Sequence, residues 1–227
     1  MDQPDATQKA PTRTTFLLLE TGVLCATHLA AIFPWALGAR YTFYMMAATS
    51  TSERQLLSTG SSFALVLYIV YASGDPLAKV GLRRIRLPAD LVAMVIACCW
   101  LIPYLLRTTS SAVPFYGPTV TSMSPLWLIA LRAALVGVYE EFFYRGYLVS
   151  RVEELTRSKW FAVGMPALFF GFVHSYEGFR GMCWALALGL VYGAIFMKNR
   201  SIWPLAIGHA CIDFYLYYTS YVRIGLA

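Results

Sequence analysis

Long apolar segments separated by short polar ones are the feature that most limits how this chain can fold. Of its 227 residues, 58% are hydrophobic and only 13% are charged. A typical soluble domain carries about a quarter charged residues. A soluble core of this size could not bury so much apolar surface, so the composition predicts that lipid solvates much of the chain.

The apolar segments are long enough to cross a bilayer as helices, since a transmembrane helix needs roughly 20 largely apolar residues. We therefore predict an all-α fold, a polytopic transmembrane helical bundle of about seven spans, with six to eight possible. The predicted spans are residues 15–37, 57–74, 88–106, 125–149, 161–176, 181–197 and 202–221. A polar N-terminal tail, residues 1–14, precedes a single transmembrane domain, residues 15–227.

The lysines and arginines predict the orientation, because positive residues concentrate in cytoplasmic loops. With the N-terminus inside, eleven of them fall on the cytoplasmic side and five on the other. The eleven are Lys9, Arg13, Lys79, Arg83, Arg84, Arg86, Arg151, Arg157, Lys159, Lys198 and Arg200. We expect an integral membrane protein with a cytoplasmic N-terminus.

The net charge of +6 does not indicate a nucleic-acid partner, because the positive residues are not gathered into one basic face. The five cysteines lie within apolar runs and show neither a disulfide nor a metal-binding pattern. Lipid is thus one expected partner, and the sequence leaves the oligomeric state open.

Glu140 and Glu141 lie together in one of the apolar segments, where ionisable groups are costly and usually mark a pathway or a reaction site. Helical spacing places Glu141 and Arg145 on one face, in the favourable order for an ion pair. Glu140 points about 100° away. We therefore predict that Arg145 holds Glu141 and that Glu140 is freer to react. The alternative is that both acids only join helices, through Arg145 and Arg132.

Two histidines lie in later apolar segments. His174 follows Phe170 by four residues, and His209 precedes Asp213 by four, which places each pair on one helix face. Taken alone, His174 is more often a hydrogen-bonded structural residue than a catalyst. His209 with Asp213 is as consistent with helix packing as with function.

Taken together, these residues resemble the CAAX protease and bacteriocin-processing family, also called the Abi family, which includes the type II CAAX prenyl endopeptidases. The motifs are Glu-Glu-x-x-x-Arg at 140–145, Phe-x-x-x-His at 170–174 and His-x-x-x-Asp at 209–213. The resemblance covers about residues 125–221. The third motif often ends in Asn, whereas here it ends in Asp213.

The resemblance implies an intramembrane endopeptidase acting on a peptide or membrane-protein substrate. In the family picture, Glu140 and His174 activate a water molecule, while His209 and the residue matching Asp213 stabilise the oxyanion. Glu141 completes the expected catalytic set, and Arg145 and Phe170 support it. The short chain favours a bacterial or archaeal cytoplasmic membrane.

Three alternatives stay open. No cofactor is favoured, but zinc is possible, with Glu140, His174 and His209 as candidate ligands. The chain could instead be a catalytically silent membrane interaction protein or a bacteriocin-immunity-type protein. A transporter is disfavoured, because the two halves show no paired repeats.

Overall fold

The computed structural model describes residues 12–36, 52–107 and 125–225, and all regular secondary structure in these ranges is helical. The all-α prediction is therefore confirmed for this part of the chain. The helices are α1 (Arg13–Ala36), α2 (Ser52–Ala72), α3 (Ala89–Cys99), α4 (Ile102–Arg107), α5 (Leu126–Glu140), α6 (Ser150–Thr156), α7 (Lys159–Val173), α8 (Gly178–Asn199) and α9 (Trp203–Gly225). The predicted N-terminal tail lies outside the described residues except for 12–14.

Each predicted span contains at least one helix, but the count of seven spans is not confirmed. By length and hydropathy, one stretch of the described chain qualifies as a membrane span: Lys159–Asn199, with a mean hydropathy of 1.5. This stretch comprises α7, α8 and the turn that joins them. Polar side chains such as His209 and Asp213 lower the hydropathy of α9, which is one reason why it does not qualify.

The central element is a helix that continues from α5 into α6 through a π-helical segment, Glu141–Val149. All nine residues of this segment are buried. Glycine allows the helix to approach its neighbour: a Cβ on Gly137 would lie 2.8 Å from the backbone oxygen of Ala206 in α9. This close contact fixes the distance between α5, which ends at Glu140, and α9, which carries His209.

Helices α7 and α8 form a hairpin. Ser158 caps α7 by accepting a hydrogen bond from the backbone N–H of Phe161. At the other end, the 3₁₀ turn His174–Glu177 joins the two helices, and Gly178 adopts a left-handed φ of 80° as α8 begins. The turn places His174 at the end of α7 and Glu177 at the start of α8.

A network of charges joins the N-terminal helices to α6. Asp75 forms ion pairs with Arg13 and Lys79, both at 2.9 Å, and with Arg151 at 2.5 Å. Arg151 also contacts Glu20 of α1 at 3.2 Å. Arg151 was counted above among cytoplasmic loop residues, but its side chain is fully buried in this network. It therefore acts as a structural charge here, because the carboxylates of Glu20 and Asp75 compensate its buried charge.

The same network controls the ionisation of Asp75. Burial by itself would raise the pKa of this carboxyl group. The hydrogen bonds from Lys79 and Arg151, with their positive charges, outweigh burial and lower the pKa to about 2. Asp75 is consequently a carboxylate at neutral pH.

Candidate active site

A cavity of about 80 Å³ lies between α5, α7, α8 and α9. Its polar wall consists of Glu140, His174, Tyr176, Glu177, His209 and Asp213. Its apolar wall includes Val136, Trp184, Leu188, Ile212 and Leu216. A cavity of this size and polarity has room for more than one water molecule.

Glu141 organises the base of the site. Its Oε1 accepts a hydrogen bond from Arg145 Nη1 at 2.8 Å and lies 2.7 Å from His209 Nδ1. A carboxylate paired with arginine only accepts, so His209 donates from Nδ1. The predicted pairing of Glu141 with Arg145 is present. The hydrogen bond to His209 joins residues 68 positions apart and was not predicted.

Glu140 is the less restrained of the two acids. Its Oε2 is buried without a hydrogen-bond partner and lies 3.7 Å from His209 Nε2. Asp213 Oδ1 lies 3.8 Å from the same nitrogen. The two distances are too long for hydrogen bonds but leave room for adjustment around a bound water or substrate. Glu141 rather than Asp213 makes the hydrogen bond that orients the His209 ring.

His174 is oriented by the backbone. Its Nδ1 lies 2.8 Å from the carbonyl oxygen of Phe170, one turn earlier in α7. A carbonyl only accepts, so Nδ1 carries the proton, and a neutral ring has its lone pair on Nε2. The ring lines the cavity, so the structure brings His174 into the same site as Glu140 and His209.

Phe170 forms the partition between these groups. Its ring centre is 4.4 Å from the centre of the His174 ring and 6.1 Å from that of His209. The guanidinium carbon of Arg145 lies 4.4 Å from the centre of the same Phe170 ring. Phe170 therefore contacts both histidines and a cation, which agrees with a supporting role.

Asp213 lies beside a second buried arginine. Arg132 of α5 interacts electrostatically with Asp213, and its guanidinium carbon is 4.0 Å above the centre of the Tyr217 ring. Arg132 therefore joins α5 to α9, as the helix-joining alternative predicts. It does so through Asp213 and Tyr217 rather than through Glu140.

The candidate metal ligands do not form a compact ligand set. Within the described ranges, no three His, Cys, Asp or Glu side chains are grouped so that they could hold one ion. His209 Nδ1 is directed at Glu141, which leaves only Nε2 for any ligand in the cavity. The donors as arranged do not fit a preformed zinc centre.

Sequence reasoning missed the cavity residues that the predicted motifs do not contain, and those with polar side-chain atoms are Tyr176, Glu177, Trp184 and Tyr217. Glu177 carried a usable signal, because it is an acid close to His174 within an apolar region, like the acid pair that was selected. Tyr176 and Trp184 carried none, since aromatic residues are frequent throughout this chain.

The fold and the site together define a helical protein with a partly polar cavity whose polar wall includes three acids and two histidines. Residues 122–215 match the family model of the Rce1-like type II CAAX prenyl endopeptidases. This match includes every residue of the three motifs and confirms the resemblance to CAAX proteases over this part of the chain. The matched family is a membrane-associated protease family. No curated protein and no solved structure matches the chain.

Proposed function

We propose that this protein is an intramembrane endopeptidase of the CAAX-protease type, in which Glu140 activates a water molecule. The observation that carries the proposal is the different state of the two adjacent acids. Glu141 is held through Oε1 by Arg145 and His209 and does not line the cavity, whereas Glu140 lines the cavity and its buried Oε2 has no hydrogen-bond partner.

In the proposed reaction, Glu140 accepts a proton from the water that attacks the scissile carbonyl. His174 orients this water through Nε2, because its Nδ1 is occupied by the Phe170 carbonyl. The protonated Glu140 then returns this proton to the leaving nitrogen as the C–N bond breaks. One water and one peptide bond are consumed, and one carboxyl group and one amine are formed.

The developing oxyanion is stabilised by His209 in its doubly protonated form, in which Nδ1 donates to Glu141 and Nε2 donates into the cavity. Such a preorganised donor is worth most in a site that excludes bulk water. Asp213 is the second residue of the His-x-x-x-Asp motif, and its Oδ1 lies 3.8 Å from His209 Nε2. It limits the movement of the ring by charge rather than by a hydrogen bond.

We further propose that the substrate is a peptide or membrane protein and that the protein resides in a bacterial or archaeal cytoplasmic membrane with its N-terminus inside. The runner-up function is a silent interaction or bacteriocin-immunity-type protein. It would keep the same packing, since Arg145, Phe170 and Glu141 stabilise the bundle in either case.

The variant Glu140→Gln distinguishes the two functions. It keeps the shape of the side chain and removes its basicity, so we expect peptide cleavage to fall by about 100-fold or more. Cleavage is measured with the purified protein in liposomes and a mixed peptide library analysed by mass spectrometry. In parallel, protein termini are compared between membranes from cells that produce the native protein and membranes from cells that produce the variant. Termini found only with the native protein would reveal natural substrates.

Glu153→Gln is a matched control, because Glu153 pairs with Arg200 at the surface, away from the cavity. It should leave cleavage unchanged. The assay is repeated after treatment with a chelator, and activity should survive. Equal cleavage by the native protein and Glu140→Gln would contradict the catalytic role.

A further inference from the structure

Glu177 is an acid in the cavity that the proposed reaction does not use. It lines the cavity together with Glu140 and Asp213, and it interacts electrostatically with Asp213 and His209. It lies on the turn between α7 and α8, beside Trp184 and the other aromatic residues of that wall.

Glu177 is not explained by helix capping. It occupies the N-cap position of α8, but its side chain makes no capping hydrogen bond. The side chain instead lies along the first turn of α8, where its Oε2 is 2.9 Å from the position that a Cβ on Gly181 would take. The absence of a side chain at position 181 leaves space for the carboxylate on the cavity side.

Among the described residues, no lysine or arginine forms an ion pair with Glu177, although Tyr176 donates a hydrogen bond to it. Two of the other acids of the site differ in this respect. Glu141 is paired with Arg145, and Asp213 interacts with Arg132. None of the described residues that line the cavity is a lysine or an arginine.

The cavity therefore has three acids, two histidines and an apolar wall, with one buried oxygen of Glu140 that has no hydrogen-bond partner. A cation placed in the cavity would lower the electrostatic energy of this arrangement, whereas a further anion would raise it. An apolar peptide segment carrying one positive group complements both the acids and the apolar wall.

We propose that Glu177 is a specificity-determining residue that binds a lysine or arginine side chain of the peptide substrate near the scissile bond. The inference rests on the proposed protease function for the reaction itself. The binding preference can be measured without turnover. The negative charges of the same cavity acids disfavour a substrate that places an acidic side chain in this part of the cavity.

The test uses binding and cleavage separately. The Glu140→Gln protein in nanodiscs is exposed to a pool of apolar peptides of one length, each with a single lysine, norleucine or glutamate at one position. Retained peptides are quantified by mass spectrometry. We expect lysine to be enriched at least tenfold over glutamate at one position, which corresponds to about 1.4 kcal/mol.

Adding Glu177→Gln should abolish this preference, and Glu177→Arg should reverse it in favour of glutamate. Glu153→Gln is the control and should leave the preference unchanged. Retention without a preference for lysine, no retention, or an unchanged preference in Glu177→Gln would overturn the inference.

Cleavage of the same pool by the native protein separates this inference from the proposed function. Lysine-selective retention with no cleavage would reject the protease and keep the role of Glu177. Cleavage with no preference for basic residues would reject the role of Glu177 and keep the protease.

Discussion

At the scale of single residues, two adjacent carboxylates have different partners and therefore different expected roles. Glu141 accepts from Arg145 and His209 through one oxygen, and all three side chains are almost fully buried. The nearest ion-pair contact of Glu140 is weaker, because its Oε2 lies 3.7 Å from His209 Nε2. Removing the charge at 141 leaves a buried guanidinium uncompensated, whereas removing it at 140 does not.

We therefore expect Glu141→Gln to destabilise the protein by about 3–5 kcal/mol, the usual cost of breaking a buried ion pair. Glu140→Gln should change the free energy of unfolding far less. Both variants are compared with the native protein by unfolding in mixed detergent micelles. A loss of stability in Glu140→Gln equal to that in Glu141→Gln would show that both acids hold the helices together.

At the scale of elements, the distance between α5 and α9 decides whether Glu140 and His209 meet. Gly137 lies one turn before Glu140 on the same face, and a Cβ there would be 2.8 Å from the oxygen of Ala206 and 2.9 Å from the nitrogen of Ala210. Both atoms belong to the backbone of α9, so the two helices would have to separate.

Gly137→Ala should therefore reduce stability by about 1–3 kcal/mol, as expected for overpacking. It should also slow cleavage, because Glu140 would move away from His209. Gly164→Ala in α7 is the matched control, since a Cβ there meets nothing within 4 Å. It should be neutral or slightly stabilising, because alanine favours a helix more than glycine does. Equal melting temperatures for the two variants would contradict the tight contact.

Element positions were largely predictable, and the internal geometry of one element was not. Apolar runs bounded by turn residues indicated helices in each predicted span, and the spacing of four indicated that Glu141 meets Arg145. The π-helical segment after Glu141 had no signal in the sequence. It depends on the packing of nine buried residues against neighbouring helices, which local propensity does not encode.

At the scale of the whole molecule, the charges around Asp75 connect the N-terminal helices to the half that matches the protease family. Tyr147 adds a hydrogen bond of 2.5 Å to Glu20, which also accepts from Arg151. The site is thus supported by α1 and by the residues that follow α2. Neither region belongs to the family match at 122–215.

The lowered pKa of Asp75 makes this support dependent on pH. The carboxyl group ionises at about 2 when folded and at 3.8 ordinarily, so its contribution is complete above about pH 4–5 and is lost as the pH falls toward 2. The contribution is on the order of 2 kcal/mol. We expect the native protein to be more stable than Asp75→Asn at pH 6, and the two to converge near pH 2.

The difference in stability between the two proteins is measured from detergent unfolding curves at a series of pH values. The titrating groups that both proteins share contribute equally and cancel in this difference. Glu153→Gln again serves as a control, because it removes a carboxylate that pairs with Arg200 and is not part of the Asp75 network. A difference between native and Asp75→Asn proteins that stays constant from pH 6 to pH 2 would contradict the linkage.

The sequence alone determined that the chain is helical, which residues share a helix face, and that its acids and histidines are the groups to examine. These properties follow from local periodicity and from the cost of placing charge among apolar residues. The tertiary structure decided that Glu141 reaches His209, that Arg151 is buried with Asp75 and Glu20, and that Glu177 lines the cavity. These contacts join distant parts of the chain, and only the packing of whole helices brings them within range.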